Sequence, residues 1–204
     1  MLSATSVTHA FGAAPVLERV DLRVSPGEIV GLSGVSGAGK STLGRILAGQ
    51  LQPTAGRVEI DGAPLTPRVG QACSVQYAPQ LSEMSVDPRW RIEQVLRNGG
   101  RPDPEALSIL GVRPEWVNRF PAELSGGELT RVSLARLVLP SIQYLICDEI
   151  TAPLDALSAE DMMSALKRLA GRGLGILLIS HNQNLLERHV ERRYQLHSNQ
   201  AGNR

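Results

Sequence analysis

Hydrophobic and polar positions alternate first at Val20, Leu22 and Val24, with Asp21 and Arg23 between them, the period-two pattern of a strand buried on one face. A second alternation, Val58 and Ile60, runs into Asp61-Gly62, a strong turn signal. Together they predict an antiparallel β layer near the N-terminus. Ile29 to Ser33 is continuously apolar enough for a fully buried strand and leads into a glycine-rich loop. The following segment places Leu43, Ile46 and Leu47 on one helical face and stops near Gly49.

From residue 82 the character changes. Pro88, Pro102, Pro104, Pro114 and Pro121 punctuate short helical pieces, with Gly99-Gly100 between them. A helix is then expected from Leu124 through Leu134, Leu137 and Val138 to a stop at Pro140. Tyr144 to Cys147 is a buried strand. Ser158 is expected to cap the next helix, with Asp161 completing a capping box and Leu157 and Met162 forming a hydrophobic staple. Met162, Ala165, Leu166 and Leu169 give that helix its apolar stripe, and Gly175 to Ser180 is expected as the final core strand. Strands alternating with helices predict an α/β fold with a mostly parallel sheet.

Composition narrows this picture only a little. The 204 residues are one domain's worth, with 42% hydrophobic and 20% charged residues, and at 3% aromatics the core must be aliphatic. A net charge of +1 with no clustered basic excess argues against a nucleic-acid surface. Cys73 and Cys147 lie in apolar runs and are expected to be buried thiols in a reducing compartment, not a disulfide or a metal site. The N-terminus lacks a basic segment followed by an apolar core, so no signal peptide is expected. No apolar stretch approaches the ~18 residues needed to span a bilayer.

Gly34-Val35-Ser36-Gly37-Ala38-Gly39-Lys40-Ser41 fits G-x-x-x-x-G-K-[ST], and Thr42 follows. Glycines let successive backbone N–H groups turn inward around phosphate oxygens, and the helix N-terminus adds partial positive charge at the same point. Lys40 is expected to reach the β- and γ-phosphates and the Ser41 hydroxyl to ligate Mg²⁺. A glycine-rich surface turn is the alternative, but the buried strand before and the amphipathic helix after it are the context that the motif requires.

The loop alone does not separate kinases, GTPases, helicases and transport ATPases. Leu124-Ser125-Gly126-Gly127-Glu128 opens a helix and offers, with Ser125, two glycines and a helix N-terminus, a second anion-binding surface. Leu145-Ile146-Cys147-Asp148-Glu149 is a buried strand that ends in two carboxylates. These segments resemble the LSGGQ signature and the Walker B strand of ABC ATPases, and the likeness runs from Phe11 to His181.

The resemblance implies a P-loop NTPase fold, RecA-like, with a helical signature subdomain (82–139) inserted in a single ATPase domain spanning 1–204. It implies ATP and Mg²⁺ as ligands. ATP would lie between two domains, the phosphate loop of one facing the signature (Ser125, Gly126, Gly127, Glu128) of the other. Asp148 would partner Mg²⁺, and Glu149 would act as general base on the attacking water. His181, in Ile179-Ser180-His181-Asn182, corresponds to the switch histidine at the γ-phosphate. Thr151-Ala152-Pro153-Leu154-Asp155 is similar to the D-loop, although Pro153 and Ile150 depart from the usual alanine and proline, which puts the interface geometry around Asp155 in doubt. Phe11 matches the aromatic that stacks on adenine, a plain core or surface role being its alternative. Gln80 matches the Q-loop glutamine, which reaches Mg²⁺ and the water; Gln76 competes for the role. Gln80 is preferred because Asp87-Pro88-Arg89, seven residues on, resembles the N-P-R of peptide and nickel importers.

The implied function is the ATP-hydrolysing subunit of an importer for peptides, nickel or metal chelates, peripheral on the cytoplasmic face of the inner membrane. The implied partners are two transmembrane permease subunits, a second ABC ATPase and a substrate-binding protein, with no nucleic acid. A free-standing ATPase of an exporter or lipid machine shares every catalytic residue and is the alternative. A soluble ABC protein acting on nucleic acid is a third reading, but it would need duplicated domains or basic surfaces. Only 23 residues follow His181, which predicts no regulatory extension.

Overall fold

Apolar residues on both faces of a strand require cover on both sides, and this requirement organises the molecule. The computed structural model describes residues 1–12, 14–66, 73–81 and 85–197. Its central sheet is five-stranded and parallel, in the order β6-β7-β8-β3-β9: β3 is Ile29–Gly34, β6 Val75–Ala78, β7 Tyr144–Asp148, β8 Gly175–Ile179 and β9 Arg192–Leu196. Along β7, Leu145 and Cys147 enter the core on one face while Tyr144 and Ile146 enter the core on the other. The same alternation on β8 sends Ile176 and Leu178 one way and Leu177 and Ile179 the other.

The second face of this sheet carries α1 (Lys40–Leu47) and shares its core with a four-stranded antiparallel sheet, order β2-β1-β4-β5. Those strands are β1 (Leu2–Phe11), β2 (Ala14–Val24), β4 (Ala55–Ile60) and β5 (Ala63–Pro64). The first face packs against α5 (Ala156–Gly171), α6 (Gln183–His189) and the segment holding α2 (Ile92–Arg97), α3 (Pro104–Ile109) and α4 (Gly126–Ala135). The expected 82–139 insertion begins on residues 82–84, which lie outside the described residues. No helix among the described residues is long and apolar enough to cross a membrane.

Several expectations are corrected. The strand β1 escapes a period-two reading because its phase slips: Leu2 and Ala4 are buried, then Val7 and His9. The slip is a bulge at Ser6, which has φ 48°, answered by Arg19 on β2 at the same φ. The N–H groups freed there are satisfied by side chains, Ser6 N donating to Asp21 Oδ1 at 2.8 Å and Arg19 N to Thr8 Oγ1 at 3.1 Å. Residues 175–179 are not the last core strand, since β9 adds to the sheet edge beside β3. Helix α5 starts at Ala156, capped by Asp155 rather than Ser158: the Asp155 carboxylate accepts from Leu157 N and Ser158 N, and the Ser158 hydroxyl donates to it at 2.7 Å. The chain turns helical three residues earlier than expected, which puts Ser158 inside the first turn, and Leu157 is left exposed instead of stapled to Met162. Helix α4 ends at Ala135, short of Pro140. Both cysteines are free; Cys147 is buried, its thiol pushed to high pKa by burial and by the neighbouring Asp148, while Cys73 is only half-buried.

Candidate active site

Strands β6, β7, β8 and β3 are neighbours and parallel, so their carboxyl ends open onto one edge, where ligands bind in open α/β sheets. Four chain segments meet there. After β3 the backbone turns through Val35–Gly39 into α1. Gly39, at φ 93°, is its N-cap and provides no side chain to the free N–H groups. A Cβ at Gly39 would lie 2.8 Å from Leu17 Cδ2 and 2.9 Å from Val16 Cγ1, so the loop lies directly on β2. The first-turn N–H groups of α1 therefore face outward without a side-chain cap.

Lys40 is almost buried, and its ammonium donates to Gly34 O at 2.9 Å and Val35 O at 3.1 Å. The charge is thus held across the mouth of the loop. Ser41 is exposed and Thr42 half-buried at the same opening.

The pairing of Asp148 with Ile179 across β7 and β8 brings the residues after both strands together. Glu149 N donates to Ile179 O at 2.9 Å. Glu149 stands at φ 50°, a left-handed conformation uncommon for a side-chain-bearing residue, which turns its carboxylate off the strand line. Its Oε2 meets His181 Nδ1 at 3.2 Å and accepts from the Gln80 amide nitrogen at 3.4 Å. The phosphate-loop residues Gly34, Ser36, Gly37 and Gly39, with Lys40, Ser41 and Thr42, share one cleft of about 510 Å³ with Gln80, Glu149 and His181.

Gln80 and Gln76, which competed in the sequence, part company in three dimensions. Gln76 donates to Cys73 O at 2.9 Å, whereas Gln80 opens into the cleft. Asp148 is 5% exposed and does not line the cleft; its Oδ2 accepts a short hydrogen bond from the Tyr77 hydroxyl. Burial, the hydrogen bond and the nearby Asp148 charge together push the Tyr77 hydroxyl well above the usual phenol range.

The remaining sequence candidates lie elsewhere. Phe11 is 61% exposed, edge-on to His9 with ring centroids 4.7 Å apart, and like Val35 and Ala38 it is not part of the cleft wall. The signature segment is also separate. Ser125 caps α4, its hydroxyl accepting from Glu128 N at 3.3 Å, and the Glu128 carboxylate turns back to accept from Ser125 N at 2.8 Å. Ser125 and Gly126 are exposed, Gly127 and Glu128 half-buried. Asp155 sits at the α5 cap, its carboxyl held below the usual range by the Ser158 hydroxyl and backbone. Sequence reasoning missed two residues: Val16, which lines the cleft from β2, and Tyr77. Val16 stands on the polar-and-apolar mixed end of β2, where no motif marks it. Tyr77 lies inside a recognised motif at a position without fixed chemistry.

Comparison with known proteins identifies the family. The family model described as ABC transporter matches residues 17–152. The chain is 35% identical to "Hemin import ATP-binding protein HmuV" of Pseudomonas putida, over 94% of this chain and 81% of that protein. It is 33% identical to "Nickel import ATP-binding protein NikE" of the same organism, over 91% and 75% of the two chains. Its fold superposes with a TM-score of 0.80, at 25% identity and covering 98% of this chain and 97% of the other, on the dimeric structure of a post-hydrolysis state of the ATP-binding cassette MJ0796 bound to ADP and Pi. The chain belongs to the ABC transporter family, as one of its ATP-binding, ATP-hydrolysing subunits.

Proposed function

We propose that this ATPase drives an importer of peptides, nickel or metal chelates, working as a dimer with a related ATPase chain on two membrane permease subunits. One observation carries the dimer. The phosphate loop and the Ser125–Gly127 segment are both glycine-bearing helix openings, yet only the first lines the cleft with Glu149 and His181. A second chain that brings its own signature to this cleft completes the site. Relatives that import hemin and nickel support a metal or metal-chelate cargo, and Asp87-Pro88-Arg89 supports the peptide and nickel branch. The permeases and a substrate-binding protein would set the cargo, with this subunit on the cytoplasmic face of the inner membrane.

Within the cleft, Lys40 and the loop N–H groups hold the β- and γ-phosphates. Glu149 takes the proton of the attacking water, while His181 and Gln80 fix the carboxylate and the water in line. Phe11 stacks on adenine from the exposed rim, and Asp155 faces the partner subunit. The donor set suits Mg²⁺: the Ser41 hydroxyl, the Asp148 carboxylate and the Gln80 carbonyl are hard oxygens, left available when the Gln80 nitrogen bonds Glu149. Bound there, the ion would neutralise charge between the phosphates.

Purification from membranes in mild detergent should recover this chain with two permease subunits and a second, different ATPase. A stable homodimer in ATP would overturn the mixed pairing, and recovery without membrane partners the transport role. Ser125→Ala, combined with an unaltered partner, is expected to abolish phosphate release at the partner's site and spare its own, at a cost of about 0.5–2 kcal/mol in the α4 cap. Equal loss at both sites would overturn the trans arrangement.

A further inference from the structure

We propose that Tyr77 is a positioning residue for Asp148, its hydroxyl holding the buried carboxylate in the orientation that serves the Mg²⁺–nucleotide complex. The inference rests on the role proposed above for Asp148. Tyr77 pairs with Ile146 across β6 and β7, two residues before Asp148 and on the same face of the strand. Two neighbouring residues of α1 border the ring. It presses on α1 at Gly44, where an added Cβ would lie 3.1 Å from Tyr77 Cε2 and 3.2 Å from Ile146 Cγ2. The Arg45 guanidinium lies 6.0 Å from the ring centroid. With the ring fixed, the hydroxyl is fixed, and it donates to Asp148 Oδ2.

This contact serves two ends. A carboxylate 5% exposed is costly to keep charged unless hydrogen-bonded, and Tyr77 is the side-chain donor that the structure gives it. The bond also commits Oδ2, which leaves Oδ1 as the oxygen free to serve the cation or its water. Tyr77 spans the gap between α1, which begins with Lys40 and Ser41, and the end of β7. The two halves of the proposed metal site are thereby held in register through one ring. An aliphatic side chain at this position would fill the slot between α1 and β7 but could neither satisfy nor orient the carboxylate.

The test titrates Mg²⁺ against binding of a fluorescent ATP analogue to the full chain. Tyr77→Phe is expected to raise the half-saturating Mg²⁺ concentration by about 10-fold and to leave analogue binding in EDTA unchanged. Tyr77→Leu, which refills the apolar slot without a ring, is measured beside it, with melting temperatures for both, and is expected to raise the Mg²⁺ requirement at least as much. Asp148→Asn is the reference. If Asp148→Asn raises the Mg²⁺ requirement and neither Tyr77 variant does, Tyr77 is structural and the inference fails while the metal site stands. A lower melting temperature with unaltered Mg²⁺ dependence has the same meaning. If Asp148→Asn also leaves it unmoved, the metal role of Asp148 fails and takes the inference with it.

Discussion

Glu149→Gln is expected to slow steady-state phosphate release by about 10²–10⁴-fold without weakening ATP binding, and to hold the subunits together as an ATP-bound dimer. The substitution keeps the shape of the side chain and its contacts with His181 Nδ1 and the Gln80 amide, which need only an acceptor oxygen. It removes the one capacity that an amide lacks, taking a proton from water. The left-handed backbone at residue 149 is no harder for Gln than for Glu, so the fold should be indifferent to the change. Phosphate release and size-exclusion chromatography in ATP read the two halves of the prediction. Hydrolysis at the parental rate would remove Glu149 from the chemistry and shift attention to His181.

Lys40→Ala is expected to weaken ATP binding by about 10- to 150-fold, the worth of a hydrogen bond to a charged group, about 1.5–3 kcal/mol. The Lys40 ammonium donates to Gly34 O and Val35 O, which holds it at the mouth of the loop. A hydrogen bond from this ammonium to a phosphate oxygen is stronger than one to a neutral carbonyl because both members of the pair are charged. The loss should be confined to the phosphates: calorimetric affinity falls for ATP and stays level for adenosine. Equal losses for both ligands would mean that the substitution had disordered the loop instead of removing a contact.

The motifs were legible because their chemistry is local. A phosphate loop needs its glycines, lysine and hydroxyl within one turn of chain, and a carboxylate pair needs a buried strand behind it. Both patterns are written in consecutive residues. The strands β3, β7 and β8 were legible for a similar reason, since burial on both faces leaves uninterrupted apolar runs. Strand β1 was not, because the bulge at Ser6 moves its apolar positions from one phase to the other. The α5 cap is ambiguous in sequence because Asp155 and Ser158 both carry capping oxygens, and only the backbone path, extended at Asp155 and helical from Ala156, decides between them.

By itself, the order of residues determined the family, the fold class and the glycine-rich loop proposed to hold phosphate. Tertiary structure alone decided which glutamine faces the cleft, that Gln80, Glu149 and His181 converge though 69 and 32 positions separate the pairs, and that Tyr77 touches Asp148 across 71. The reason is the parallel sheet. Its neighbours are chosen by crossover connections, so strands distant in the chain end side by side, and no local spacing records which side chains meet there.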